Sequence, residues 1–303
     1  MQIAPRVSVG LPVYNGERYL APTVETILGQ TFEDFELIIA DNASTDETAR
    51  IAQDFAKRDA RVRYIRNATN IGAIANFNLV FRLARGEYFK WNGYDDTLAP
   101  DYLEKCVRML DERPGFVICH SRTQEVDHEG KIVPSPDPKR RLDSDRVAER
   151  FWDVLMETHH INENYGVIRS DVLRRTRLEL PFHGSDKVLL AELMVLGKCY
   201  EIPEFLFTRG GWLAKAQHAR TRKSLELYDN PNAKPGFNTL RTYVAYCQVV
   251  RRMPMSIKER IGCCKALLAY LFSVTSWKKR VKRLLHLSRV RSRPDSISGK
   301  SGP

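Results

Sequence analysis

The chain has 303 residues, 43% hydrophobic and 28% charged, which is enough for a well-packed core in one large or two modest domains. That balance excludes wholesale disorder and collagen-like repeats, and the sequence shows no internal repeat of fixed period. The net charge of +11 is uneven: residues 205–303 carry +17, so the remainder carries −6. A mildly acidic body can hold a cation, and a basic C-terminal third can meet the phosphates of lipid or nucleic acid.

The first 120 residues alternate strand and helix signals. Val7 to Leu11 is a short apolar run ending at Pro12, and residues 19–28 have helical spacing. FELIIAD, Phe35 to Asp41, is a buried-strand pattern. Ser44 and Thr45, followed by Glu47 and Thr48, read as a capped start to an amphipathic helix over 45–59. Val62 to Arg66 is a strand, and residues 72–84 form a helix that stops before Gly86. GEYFKWN is the next strand, Pro100 to Glu112 the next helix, and Phe116 to Ser121 another strand. A βαβαβαβ run implies a parallel sheet wrapped by helices. Right-handed crossovers then place the strand C-terminal ends on one edge, where ligands bind.

Beyond residue 121 the pattern loosens. A hairpin is expected around Glu129-Gly130, and residues 134–142 read as a polar, Pro-rich surface loop. Next come a helix near 145–157, a strand near 165–169, a helix from Asp186 and a strand pair within 198–208. After Gly210-Gly211 the sheet signal ends. Helices are expected at 237–252 and 257–276, then a basic stretch and a frayed tail from 291. The N-terminal apolar run is too short for a signal-peptide core. No uncharged apolar stretch reaches the ~18 residues of a spanning helix. Six cysteines show no C-x-x-C pair and no zinc spacing, so reduced, mostly buried thiols in a cytoplasmic protein are expected.

Three polar clusters fall on the expected ligand edge: Pro12 to Glu17, Asp41 to Asp46, and Tyr94-Asp95-Asp96. Each alone could be turn or cap chemistry. Three on one edge are harder to attribute to turns. Adjacent carboxylates repel unless a cation or donors compensate, which makes Asp95-Asp96 the sharpest signal. A hard divalent ion takes carboxylate oxygens and bridges to substrate phosphates. Neither G-x-x-x-x-G-K-[ST] nor G-x-G-x-x-G occurs, so a bound diphosphate would be neutralised by a metal instead of a glycine-rich nest.

The segment PVYNGERYLAPTVETILGQTFEDFELIIADNASTDET resembles the opening signature of family 2 glycosyltransferases. Asn70-x-Gly72, ARGEY at 84–88 and the Asp95-Asp96 pair come in the family's order, and the resemblance covers residues 5–210. It implies a GT-A fold, a mostly parallel Rossmann-like sheet flanked by helices, here with a basic helical C-terminal extension. The implied division is a nucleotide-sugar-binding catalytic domain over 1–210, a helical region over 211–290 and a flexible tail over 291–303.

The implied activity is inverting transfer of a sugar from a nucleoside-diphosphate-sugar, UDP-sugar favoured, with Mg²⁺ or Mn²⁺. The acceptor would be a saccharide or a lipid-linked hydroxyl in surface polysaccharide or glycolipid synthesis. By position, the resemblance implies that Pro12, Tyr14 and Asn15 line the nucleotide pocket, and that Asp41 and Asn42 meet base and ribose. Asp95 and Asp96 match the motif for the metal and the ribose-diphosphate. Asp186 matches the catalytic base, with Glu192 a weaker candidate. Two positions depart: Asn42 stands where members commonly have Asp, and Gly93 where many carry a further Asp.

Several residues keep two readings open. His159-His160 lacks a third metal ligand at suitable spacing. Trp91 reads as core, whereas Trp212 can be core or stack on an acceptor sugar. Arg209 can be an ordinary surface arginine or a diphosphate contact. Residues 261–277 are apolar apart from Lys265 and precede Lys278, Lys279, Arg280, Lys282 and Arg283. That run can lie on the anionic inner face of the cell membrane, or pack as a core helix with a solvated end. A nucleic-acid partner is not expected, because no recognised binding signature appears. A nucleotidyltransferase would normally carry a Gly/Lys phosphate loop near the N-terminus, where this chain has PVYNGE. A binder without turnover is the remaining rival.

Overall fold

The computed structural model describes residues 4–127, 131–133, 140–156, 161–210 and 238–273. The expected turn at Glu129-Gly130, His159-His160, Trp212 and the basic stretch and tail beyond 273 lie outside the described residues.

Four parallel strands build the first half of the sheet: β1 (Val7–Val13), β2 (Phe35–Asp41), β3 (Val62–Arg66) and β4 (Tyr88–Trp91). Helices α1 (Leu20–Leu28), α2 (Thr48–Arg58) and α3 (Ala73–Arg82) make the crossovers between them. The period-two alternation of β1 and β2 divides their side chains between the two faces. Val7, Val9, Leu11, Leu37 and Ile39 pack on one face, whereas Ile38 and Ala40 face the other. The result is helices on both faces of one sheet, as expected for a buried parallel sheet.

The order across the sheet is β3-β2-β1-β4-β8-β6-β9-β5, with β7 (Ile132–Val133) paired to β6. Strand β5 is Thr97–Leu98, β6 is Phe116–Val126, β8 is Val167–Arg169 and β9 is Lys198–Arg209. Strand β6 runs in the same sense as β4, but β8 is inserted between them and is antiparallel to both. The expected strand pair within 198–208 is a single 12-residue strand. Pro203, which has no N–H to give to a ladder, lies within it. It falls in a register shift: Ile202 pairs with Ser121, and Phe205 with the next residue, Arg122. The missing donor there leaves no ladder bond unmade.

Helices α4 (Tyr102–Glu112), α5 (Val147–Met156), α6 (Ser170–Leu173) and α7 (Asp186–Leu196) complete this part. The two C-terminal helices are α8 (Asn238–Arg252) and α9 (Ile257–Phe272). Tyr246, Val249, Cys263 and Leu267 from them join the same apolar cluster as Phe151, Leu189 and Ile168. No helix among the described residues is long and apolar enough to cross a membrane.

Below the ligand edge the sheet is tied by a buried carboxylate. Glu36, 3% exposed, accepts from Arg63, Arg85 and the Ser8 hydroxyl. The backbone N–H groups of Arg85 and Gly86 both reach the Ser8 hydroxyl oxygen, which gives the ARGEY segment a structural task. Burial would push the Glu36 carboxyl up, but the bonds from Arg85, Arg63 and Ser8 outweigh it and hold the pKa below the ordinary value. Glu36→Gln should therefore cost about 2 kcal/mol of stability near neutral pH. A depressed folded pKa gives stability that is present above the ordinary value of 4.5 and lost as pH falls through the folded one. Urea titrations should show the gap between wild type and Glu36→Gln closing on acidification. An unchanged gap would contradict this.

Candidate active site

Parallel register places the first two clusters side by side. Val13 pairs with Asp41, and Asp41 with Arg66, so three strand ends stand in line. The Asn42 N–H donates to the Val13 carbonyl and the Asn67 N–H to the Asp41 carbonyl, which carries the alignment one residue further. The two loops then interlock through side-chain bonds. The N–H groups of Asn15, Gly16 and Glu17 donate to Ser44, Thr48 and Asp46 at 3.0, 2.8 and 3.1 Å. In return the Thr45 N–H donates to the Asn15 side chain at 2.9 Å and the Glu47 N–H to Glu17 at 3.1 Å. The expected cap at Ser44/Thr45 is thus a bond between loops. Helix α2 starts at Thr48, after an N-cap residue, Glu47, that makes no side-chain cap bond.

Asp41 is fully buried and accepts from the Ser44 N–H, the Tyr64 hydroxyl and the Arg66 guanidinium at 2.8, 2.8 and 2.7 Å. Burial first, then the bond to Asp41, push the Tyr64 phenol up. Asn42 is used equally fully. Its amide donates to Asn70 at 2.9 Å and accepts from Asn67 and the Ile71 N–H at 3.1 and 2.9 Å. A carboxylate could not make that donation, which is a physical reason for Asn at this position. Pro12 is buried in β1, Tyr14 is half-buried and Asn15 is exposed at the rim.

The third cluster meets the first through Tyr94, whose ring lies 3.0 Å from where a Cβ on Gly16 would stand. Asp95 and Asp96 are 8% and 3% exposed. The two Asp96 oxygens accept from the Gly93 and Gly210 N–H groups at 3.1 and 3.2 Å. A Cβ on Gly93 would sit 2.4 Å from an Asp96 oxygen, and one on Gly210 would sit 2.1 Å from the Asp95 carbonyl. A side chain at position 93 would therefore displace the Asp96 carboxylate from where it stands.

Asp186 opens α7 and is half-buried, and its carbonyl accepts from Asn164 at 2.9 Å. The segment holding Asn164 also holds Asn162, which accepts from Arg209, the residue before Gly210. Asp186 thus starts a helix tied to the segment that also braces the acidic pair. Arg209 lies over the Tyr165 ring as well, so it is a partly buried brace. Glu192 is 1% exposed and paired with Arg177, a structural role. Trp91 is core, with its indole N–H on the Phe77 carbonyl.

Lys90 is the residue that sequence reasoning missed. It is completely buried, donating to the Trp91 carbonyl and the Asn92 side chain at 3.0 and 3.1 Å, beneath the turn that carries Asp95 and Asp96. The rings of Tyr102 and Phe207 flank its ammonium at 5.1 and 4.8 Å. Asn92 passes the hold on, donating to the Gly93 and Asp96 carbonyls. A lysine between Phe89 and Trp91 in a buried-strand pattern was the available signal. Arg66 could have been found by extending the strand-end argument to β3.

Among the described residues, no group of three His, Cys, Asp or Glu side chains could hold a metal ion. An ion that also takes a ligand's phosphates needs only one or two carboxylates from the protein.

The chain belongs to glycosyl transferase family 2, whose family model matches residues 8–163. It is 37% identical over 144 residues to EpsE of Bacillus subtilis (strain 168), a protein named as a glycosyltransferase. That match covers 46% of this chain and 52% of EpsE. It is 35% identical over 129 residues to the chondroitin synthase of Escherichia coli, covering 43% of this chain and 19% of that protein. The chain thus spans about half or less of the length of these relatives. Among solved structures, S. aureus TarS 1-349 in complex with UDP-GlcNAc aligns at a TM-score of 0.63 and 14% identity, over 89% of this chain and 73% of that one. The mannosyltransferase PcManGT from Pyrobaculum calidifontis, in complex with GDP-Man and Mn²⁺, aligns at 0.56 and 15%, over 97% and 77%. The fold is the GT-A fold of these glycosyltransferases.

Backbone strain and buried charge at this edge can both be measured. Ala43 has φ of 61°, the left-handed region, which an L side chain enters at a cost. Ala43→Gly should raise stability by about 1 kcal/mol in urea unfolding, and a loss would contradict the strain. Burial lowers the Lys90 pKa, against the Asp96 charge, to about 7 from 10.5. Between those values the unfolded chain holds a proton that the folded chain has released, so stability rises with pH. Wild type should gain on Lys90→Met from pH 7 towards 10.5, and parallel profiles would exclude the assignment.

Proposed function

We propose that this chain is an inverting glycosyltransferase that moves a sugar from a nucleoside-diphosphate-sugar to an acceptor hydroxyl. The carrying observation is the alignment of Val13, Asp41 and Arg66, with interlocked loops above them and the acidic pair alongside. In this reading the base and ribose lie over Pro12, Tyr14 and Asn15. Asp41 and Asn42 shape that floor from below. UDP is the favoured nucleotide, supported by the UDP-GlcNAc bound to TarS. The GDP-Man bound to PcManGT keeps the base a matter for assay.

Asp95 and Asp96 would hold a Mg²⁺ or Mn²⁺ ion together with the donor's diphosphate. Such an ion stabilises charge on the departing phosphate. Asp186 takes the proton from the acceptor hydroxyl as it attacks the anomeric carbon opposite the leaving group. General-base help of this kind is worth ~10²–10⁴ in rate. The acceptor is a saccharide or a lipid-linked hydroxyl in surface polysaccharide or glycolipid assembly. A peripheral seat on the inner face of the cell membrane would bring the chain to a lipid-linked acceptor.

Asp186→Asn tests the chemistry. Donor affinity by calorimetry should hold, because base and diphosphate are bound elsewhere. Transfer should fall by ~10² or more, because the base acts only in the transition state. Near-normal transfer would reject Asp186 as the base. Absence of sugar-dependent diphosphate release by wild type, across a panel of nucleotide-sugars and acceptors, would reject turnover altogether.

A further inference from the structure

Helix α9 has two apolar faces. One holds Cys263, Ala266 and Leu267, buried where the helix packs on α5 and α8. The approach to α5 is close: a Cβ on Gly262 would lie 2.6 Å from that of Ala148. The opposite face holds Ile257, Ile261, Cys264, Leu268 and Phe272, all exposed. Steps of four, three, four and four residues put these five in one row along the helix. Ile257 is 80% exposed and Phe272 is 73% exposed, so the row is open at both ends. Lys258 and Lys265, both exposed, flank it on one side.

Core packing explains only the first face. A contiguous exposed apolar row on a globular protein marks an interaction surface. The charge of the adjoining C-terminal segment narrows the partner. Residues 274–303 hold nine Lys and Arg and one acidic residue, a net charge of +8. Two copies pairing through this row would each carry that +8, at a cost in repulsion. An anionic lipid surface instead complements the charge and accepts the apolar row.

We propose that the outer face of α9 docks the protein on an anionic bilayer. The helix lies in the plane of the interface. Ile257, Ile261, Leu268 and Phe272 enter the boundary between headgroups and acyl chains. Lys258 and Lys265 keep their ammonium groups at the phosphate level. The basic segment after residue 273 supplies a second, electrostatic attraction, and two weak signals together give stable but reversible anchoring. The helix is held to the catalytic body by its other face, so docking would set the active edge at a fixed height over the membrane. This rests on the proposed function only for its purpose; the binding itself is independent of sugar transfer.

The test is sedimentation of the full chain with vesicles, either phosphatidylcholine alone or an equal mixture with phosphatidylglycerol. The full chain should bind the mixed vesicles, leave the neutral ones at least about tenfold more weakly occupied, and detach as salt is raised. The double variant Leu268→Glu/Phe272→Glu should keep wild-type circular dichroism, since both side chains are exposed, and lose about tenfold or more in binding. A polarity-sensitive dye on Cys264, the exposed thiol of the six, should shift to the blue on mixed vesicles. Undiminished binding by the double variant would show that the basic segment acts alone and overturn the proposal. A dimer in solution that the double variant dissociates would overturn it too, assigning the row to a second copy. Loss of sugar transfer with vesicle binding retained would reject the proposed activity and leave the docking surface standing.

Discussion

The structure depends on the register of three parallel strands. Val13, Asp41 and Arg66 are forced into line because β1, β2 and β3 pair without a shift over their last residues. A slip of one residue would turn Asp41 to the opposite face of the sheet and bury the wrong side chains on both. Register is safe here because both faces of the sheet are covered by apolar clusters. The hydrophobic core thus fixes the geometry of the polar edge, and the loops need only close across it.

Charge buried behind that edge makes it stiff. Glu36 holds strand and crossover together with two arginines and Ser8. Asp41 takes three donors at the edge itself. Lys90 and Asn92 brace the turn carrying the acidic pair from below, while Gly93 and Gly210 grip Asp96 from its sides. Such groups are costly unless fully bonded, and bonded they leave little freedom. A preorganised edge suits a reaction whose developing charge must be met without reorganisation. It also changes how the residues share the work. Asp41, Asn42 and Asp96 all spend side-chain oxygens on the protein's own donors, and so does Asn15.

Much of this was legible in the sequence, for physical reasons. Strands β1, β2 and β4 are buried along their whole length, and the helices between the strands carry clear periodicity, so the parallel half can be read directly. The three clusters were visible because strand order alone places them on one edge. The second half was less legible. Strand β8 has three residues, too few for a pattern, and its insertion between β4 and β6 is a tertiary choice. The single strand β9 read as a pair, because its register shifts are invisible in composition. Contacts across 29 to 32 positions, such as Asn15 to Ser44 and Gly16 to Thr48, depend on register and cannot be read locally. Lys90 was overlooked because lysine in a strand is ordinarily read as solvent-facing. Helix α9 was read as either membrane-facing or core; its two apolar faces allow both.

Under the proposed function these strand ends form one site for a nucleoside-diphosphate-sugar. Hydrogen exchange measured with and without a bound nucleoside diphosphate tests it most directly, because protection reports local opening segment by segment. Residues 14–17, 42–47 and 93–96 should gain protection together, at one ligand concentration, while α8 and α9 do not change. Protection confined to another part of the chain, or to one of the three segments alone, would contradict it.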